Sequence, residues 1–159
     1  MRKIDLLDLS DEARDLIREC EAQGERTFFE RNGRPVAVLV SYDEYLALRE
    51  TIEIANDSLL FARLAEADEE TPVEADKRLP RLRITRAGQE GLDALTGVER
   101  KLVLSTLVRI NDNPISGAPL FEPLKGLWSH RSGDVRIIYK IVADAHMVVI
   151  MSITRALSS

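Results

Sequence analysis

The chain of 159 residues is 45% hydrophobic and 31% charged with a net charge of −5, a composition that excludes wholesale disorder. Cys20 is its only cysteine, which excludes an internal disulfide and a thiolate metal cluster. No apolar run approaches the roughly 18 residues of a membrane span. The start, Met1-Arg2-Lys3-Ile4-Asp5, lacks an apolar targeting segment, so a cytoplasmic protein with no membrane partner is expected. The charge is unevenly placed. Residues 1–76 hold 9 Lys and Arg against 20 Asp and Glu, net −11, whereas residues 77–159 hold 13 against 7, net +6. Such a split predicts two units with different partners, or two that attract each other. The basic half suits a polyanion, and the acidic half can mask it.

In chain order, Ser10 can cap a helix whose Ala13, Leu16, Ile17 and Cys20 share one stripe, with Gly24 as its stop. Two strand-like runs, Arg26 to Glu30 and Pro35 to Val40, flank Arg31-Asn32-Gly33-Arg34. Asn-Gly between apolar runs predicts a hairpin, since both residues tolerate positive φ. Ser41-Tyr42-Asp43-Glu44 fits a capping box opening a helix with Tyr45, Leu48 and Ile52 on its stripe. A further helix should start near Asn56-Asp57-Ser58 and run through Leu60, Leu64 and Ala67. The stretch from Thr71 to Pro80 has no apolar periodicity and reads as the boundary. Beyond it come a strand at 82–85, helices at 87–95 and 98–110, and strands at 124–130, 135–142 and 146–154. The fold class is α+β: helix, β-hairpin and helices, followed by a β-α-α-β-β-β unit with an antiparallel sheet.

The first half resembles the Phd/YefM family of antitoxins. The likeness is carried by Ser10-Asp11-Glu12-Ala13-Arg14, by the run from Arg31 to Ser41, and by Asp43-Glu44-Tyr45 with Leu48, and it covers residues 1–75. It implies a homodimerising domain that binds operator DNA, followed by a toxin-neutralising segment. Residues 80–159 resemble the RelE/YoeB toxins, ribosome-dependent mRNA interferases, through the runs 121–125, 126–131 and 134–139, which include Phe121-Glu122-Pro123-Leu124-Lys125 and Leu127-Trp128-Ser129. The expected organisation is a dimerisation and DNA-binding domain at 1–56, a neutralising helix and linker at 57–79, and a toxin domain at 80–159, fused in one polypeptide. The acids from Glu66 to Asp76 are the expected mask.

Metal-free RNA cleavage needs a base for the 2′-OH proton, cations for the phosphate and an acid for the leaving oxygen. The resemblance makes Glu122 the general base and Arg136 the phosphate-binding arginine, whose planar fork can hold two oxygens. Lys125, Arg131, Arg155 and His130 are expected RNA contacts, with ribosome and mRNA as partners if the unit is active and no cofactor or metal ion. Trp128 and Tyr139 are expected in the core. YoeB-like chains end in a His-Tyr pair, where this sequence has Leu157 and Ser158, so a weakened or dead nuclease is expected unless His130 substitutes. On the acidic half, Arg14 and Arg31 are the expected DNA contacts, while Asn32 and Arg34 either join them or serve the turn alone. The competing expectation is a non-enzymatic autorepressor, or a structural relic with a dead toxin domain.

Overall fold

The computed structural model describes residues 1–156, and contacts divide the chain into two units, Met1–Leu46 and a second from Ala47 onward. In the first unit, helix α1 (Asp11–Gln23) begins where the Ser10 hydroxyl accepts the Ala13 N–H at 3.3 Å and ends at Gly24 with φ of 66°. Strands β1 (Thr27–Arg31) and β2 (Arg34–Leu39) pair antiparallel around Asn32 and Gly33, whose φ angles are 51° and 72°. The hairpin is therefore the one that the Asn-Gly pair predicts.

Helix α2 (Tyr42–Asn56) starts on the Ser41 hydroxyl, which accepts the Glu44 N–H at 3.1 Å, and the division between units falls within it. Its buried positions are Ala47, Glu50, Thr51 and Ile54, while Ile52 of the expected stripe is 59% exposed. This corrects the expected face. Helical spacing fits both sets, and the polar pair Glu50-Thr51 hides the true stripe from a hydrophobic count.

Asp57 then caps helix α3 (Ser58–Glu69) by accepting the Leu60 N–H at 3.0 Å, and Leu60, Leu64 and Ala67 are buried as expected. Residues 71–80, read as the boundary, contribute an edge strand β3 (Val73–Glu74) that pairs with β4 (Leu82–Ile84). Helices α4 (Arg86–Asp93) and α5 (Gly97–Asp112) follow, then β5 (Ala118–Pro119), β6 (Leu127–Ser132), β7 (Val135–Val142) and β8 (Met147–Arg155). Strand β6 begins at Leu127 instead of Leu124 because residues 121–127 turn, with Leu124 N–H bonding to Phe121 C=O at 2.7 Å and Leu127 N–H to Leu124 C=O at 3.1 Å. The sheet order is β3-β4-β8-β7-β6-β5. The β6-β7-β8 meander is antiparallel as expected, but β4 joins β8 in parallel: α4 and α5 carry the chain across to β5 and β6 at the far side of the sheet, and the meander then returns β8 beside β4 running in the same direction.

Both sheet faces are covered. On one, Ile137, Tyr139, Val148, Ile150 and Ile153 pack with Leu92, Leu95, Val103, Leu107 and Ile110 of the α4–α5 side. On the other, Ile138, Val149 and Met151 pack with Ile54 of α2 and Leu60, Leu64 and Ala67 of α3. The period-two alternation of β7 and β8 sends neighbouring residues to opposite cores. Tyr139 is fully buried; its hydroxyl donates to Pro114 C=O at 2.7 Å and accepts the Gly117 N–H at 3.1 Å, and Trp128 stacks beside it at 6.4 Å between centroids. Burial pushes the Tyr139 hydroxyl up to about 12.

Helix α4 lies close against β8 because it presents glycines. A Cβ on Gly91 would collide with the Ile153 carbonyl, which is backbone and cannot swing away, and one on Gly88 would stand 2.9 Å from the Ile150 carbonyl. Gly91→Ala should therefore destabilise the second unit by about 1–3 kcal/mol or more despite alanine's better helix propensity, read as a lower urea midpoint with little change in slope.

Candidate anion-binding site

Strand register brings basic side chains together on the α2–α3 face. Arg131 on β6 lies opposite Arg136 on β7, Ser129 opposite Ile138, and Leu127 opposite Lys140. Since Ile138 belongs to the α2–α3 core, alternation puts Ser129, Arg131, Arg136 and Lys140 on that same face. Glu50 and Glu53, one helical turn apart on α2, meet them.

Glu50 is 8% exposed and Arg136 3%. Arg136 Nε donates to Glu50 Oε1 at 2.5 Å, and its Nη2 donates to Glu50 Oε2 at 3.2 Å and to Glu53 Oε2 at 2.7 Å. Arg131 adds its own fork, Nε and Nη2 donating to Glu50 Oε2 at 3.2 and 3.0 Å, with Nη2 also 2.7 Å from Glu53 Oε2. The Ser129 hydroxyl completes the set, donating to Glu50 Oε1 at 2.7 Å. Two guanidinium forks thus hold one carboxylate on both oxygens, an arrangement that binds a phosphate equally well. Burial alone would push the Glu50 carboxyl up, but hydrogen bonds from Arg136, Ser129 and Arg131 outweigh it and hold the group below the ordinary 4.5. Burial works against the Arg131 charge too, and its bonds to Glu50 and then the charges of Glu50 and Glu53 raise it nonetheless.

Further along β7, Lys140 Nζ donates to Asp68 Oδ1 of α3 at 2.6 Å, a pair with both side chains partly exposed. Of the other acids in the expected mask, Glu70 accepts the Arg86 N–H at 2.9 Å, and Asp76 pairs locally with Arg78, whose side-chain and backbone hydrogen bonds bring it down to about 2.

The remaining expected residues disperse. Glu122 and Lys125 are exposed in the turn before β6, and the Phe121 N–H beside Glu122 donates to Thr51 Oγ1 at 3.0 Å. His130 alternates to the opposite face from Arg131, with its Nδ1 3.1 Å from the Arg131 carbonyl. Arg155 pairs with Glu99 of α5 at 2.7 Å, on the α4–α5 side. Leu157 and Ser158 lie outside the described residues. In the first unit, Arg14 forms an ion pair with Asp11 within α1, and Arg31 and Arg34 face each other across the exposed hairpin tip formed by Asn32 and Gly33. Composition pointed to residues 66–76 as the mask and passed over Glu50 and Glu53. The available signal was an acid interrupting an apolar stripe, Ala47, Glu50, Ile54, since a carboxylate at a buried helical position requires a partner.

Residues 1–74 match the family described as "Antitoxin Phd_YefM, type II toxin-antitoxin system". This stretch is a Phd/YefM antitoxin domain, and the chain that carries it is a toxin–antitoxin-related protein. Among solved structures, the chain is similar to the toxin–antitoxin complex RelBE2 from Mycobacterium tuberculosis, with 26% identity over 46% of this chain and 94% of that one and a TM-score of 0.44. It is also similar to the isolated E. coli RelE toxin, at 18% identity over 49% and 85% with a TM-score of 0.44, and to an archaeal RelE–RelB complex from Pyrococcus horikoshii, at 17% over 50% and 97% with 0.42. No curated protein matches the chain significantly. Among the described residues no helix is long and apolar enough to cross a membrane.

The lowered Glu50 carboxyl makes the clamp acid-sensitive. A group held below its unfolded value stabilises the fold at neutral pH, and that contribution is lost as pH falls from about 4.5 through the folded value. Acid titration followed by circular dichroism should show this loss. Glu50→Gln should lack that component and be less stable at neutral pH by about 3 kcal/mol or more, because it leaves buried Arg136 without its main counter-charge.

Proposed function

We propose that this protein is a fused type II toxin–antitoxin polypeptide. Its N-terminal domain dimerises and binds operator DNA, and residues following that domain neutralise a RelE-like mRNA interferase unit in the same chain. The observation that carries this reading is the clamp: Glu50 and Glu53 occupy both guanidinium forks of Arg131 and Arg136. Arg136 is the side chain that the RelE/YoeB resemblance assigns to the scissile phosphate. While the carboxylates sit there, phosphate cannot. Tethering keeps the inhibitor at an effective concentration typically in the millimolar range for short linkers, so the resting state is inactive. Glu122, exposed in the turn before β6, is the proposed general base.

The first unit supports the DNA-binding part. Arg31 and Arg34 stand directly opposite each other at an exposed turn, a like-charge juxtaposition that costs hairpin stability and makes sense against a polyanion. Phe28, Val36 and Val38 of the hairpin are 60%, 57% and 49% exposed. A two-stranded ribbon is marginal alone, and a second copy of the chain is the proposed cover.

The toxin part is tested in the full chain, because removing residues 47–79 would strip Ile54, Leu60 and Leu64 from Ile138, Val149 and Met151. Expression of a Glu50→Gln, Glu53→Gln variant, verified as folded by circular dichroism, should arrest growth and cleave mRNA on ribosomes. Adding Glu122→Ala or Arg136→Ala should abolish both effects, and a folded, harmless double variant would refute the interferase reading. For the repressor part, Arg31→Ala should weaken salt-sensitive retardation of the protein's own promoter by roughly tenfold, about the 1–3 kcal/mol of one good contact. A wild-type chain that fails to retard that promoter at low salt would refute the reading.

A further inference from the structure

The clamp continues beyond the two arginines. Arg136 and Lys140 lie four residues apart along β7, roughly 13 Å at strand rise, and Arg131 stands beside the first of them. Each of these cations is met by an acid from one short segment: Glu50 and Glu53 on Arg131 and Arg136, Asp68 on Lys140. The segment's apolar side chains, Ile54, Leu60, Leu64 and Ala67, fill the space between the two ends. At the Lys140 end the face opens into a cavity of about 410 Å³ lined by Leu64, Asp68, Leu124, Lys125, Lys140 and Met151. This adds a second lysine beside an apolar recess of the size that small-molecule groups occupy.

Charge repulsion would drive three cations on one strand pair apart, and an apolar core gains nothing from them. Their common feature is the spacing of a linear polyanion. We infer that this face is a track for a single RNA strand, running from Arg131 and Arg136 past Lys140 to the Lys125 recess, and that Glu50, Glu53 and Asp68 stand where its phosphates bind. The inference rests on the reading of the second unit as an RNA-directed domain, and it adds Lys140 and the recess to the RNA contacts already expected at Lys125 and Arg131. It also assigns Asp68 a role separate from Glu50: the Arg131–Arg136 end is locked by a buried pair, whereas the Lys140 end is held by an exposed pair of the kind worth ~0–1 kcal/mol. RNA displaces the mask from the Lys140 end first.

Fluorescence anisotropy with a labelled single-stranded RNA 12-mer, the purified full chain and no ribosomes tests this directly. Glu53→Gln with Asp68→Asn leaves Glu50 on buried Arg136 and so spares the fold. This variant should bind about tenfold or more tighter than wild type in 50 mM KCl, with a salt slope steeper by about 0.7 for each phosphate gained. Lys140→Gln in that background should return most of the gain. Asp68→Asn alone, which unpairs only an exposed lysine, should show a smaller gain that Lys140→Gln cancels completely. The control, Glu90→Gln with Asp144→Asn, neutralises two exposed acids elsewhere and should bind like wild type. The track is refuted if the masked-face variants bind no tighter than wild type, if the control matches them, or if Lys140→Gln leaves their gain intact. Growth arrest in the preceding experiment is scored separately, so a track without a nuclease and a nuclease without this track give different results.

Discussion

The carboxylate of Glu50, enclosed by Ser129, Arg131 and Arg136, is the interaction on which the second unit depends. An arginine that is 3% exposed on a sheet face carries a charge that must be answered inside the protein. Here the answer comes from α2, with two forks and a hydroxyl satisfying one carboxylate. Desolvating these groups is expensive, and well-packed apolar residues would often serve stability as well or better. What the pair supplies is specificity of placement. A carboxylate held by two planar forks fixes the rotation of α2 about its axis, and that rotation brings Ala47, Thr51 and Ile54 into burial.

From that anchor the rest of the α2–α3 face follows. Asp57 ends one helix and caps the next, so the chain turns sharply and lays Leu60, Leu64 and Ala67 over Ile138, Val149 and Met151. The sheet is then covered on both sides, and the alternation of β7 and β8 shares its residues between two cores. Compactness therefore divides the chain at Leu46, while composition divides it near residue 76. The two boundaries differ because one records which residues touch and the other which charges were placed on each stretch. Residues 47–76 are acidic by composition and belong to the basic sheet by packing.

The ionic contacts between the α2–α3 segment and the sheet are graded along their length. Near Arg136 they consist of buried, multiply bonded charges, and near Lys140 of a single exposed pair beside an open cavity. Opening at the exposed end costs little, and opening at the buried end uncovers the groups that need neutralising most. A polyanion is the class of molecule that can replace all three acids without leaving a buried arginine bare.

Much of this was legible in the residues themselves. The Asn32-Gly33 turn, the Ser10, Ser41 and Asp57 caps, the Leu60-Leu64-Ala67 stripe and the meander of β6 to β8 are local matters of backbone preference and periodicity, and the local sequence encodes them. The resemblance of the first half to the Phd/YefM family was read from short local strings, and the family match covers residues 1–74. The charge split left open whether the two stretches have different partners or attract each other. Tertiary structure alone decided which groups meet. Glu50 and Arg136 are 86 residues apart, and nothing in helical spacing distinguishes a buried carboxylate from a solvated one until a guanidinium fork stands opposite it. The parallel β4–β8 pair, the opposite-face position of His130 and the close approach of Gly91 to Ile153 have the same origin. Each depends on strand register and on long-range pairing, properties of the assembled sheet that no window of the sequence contains.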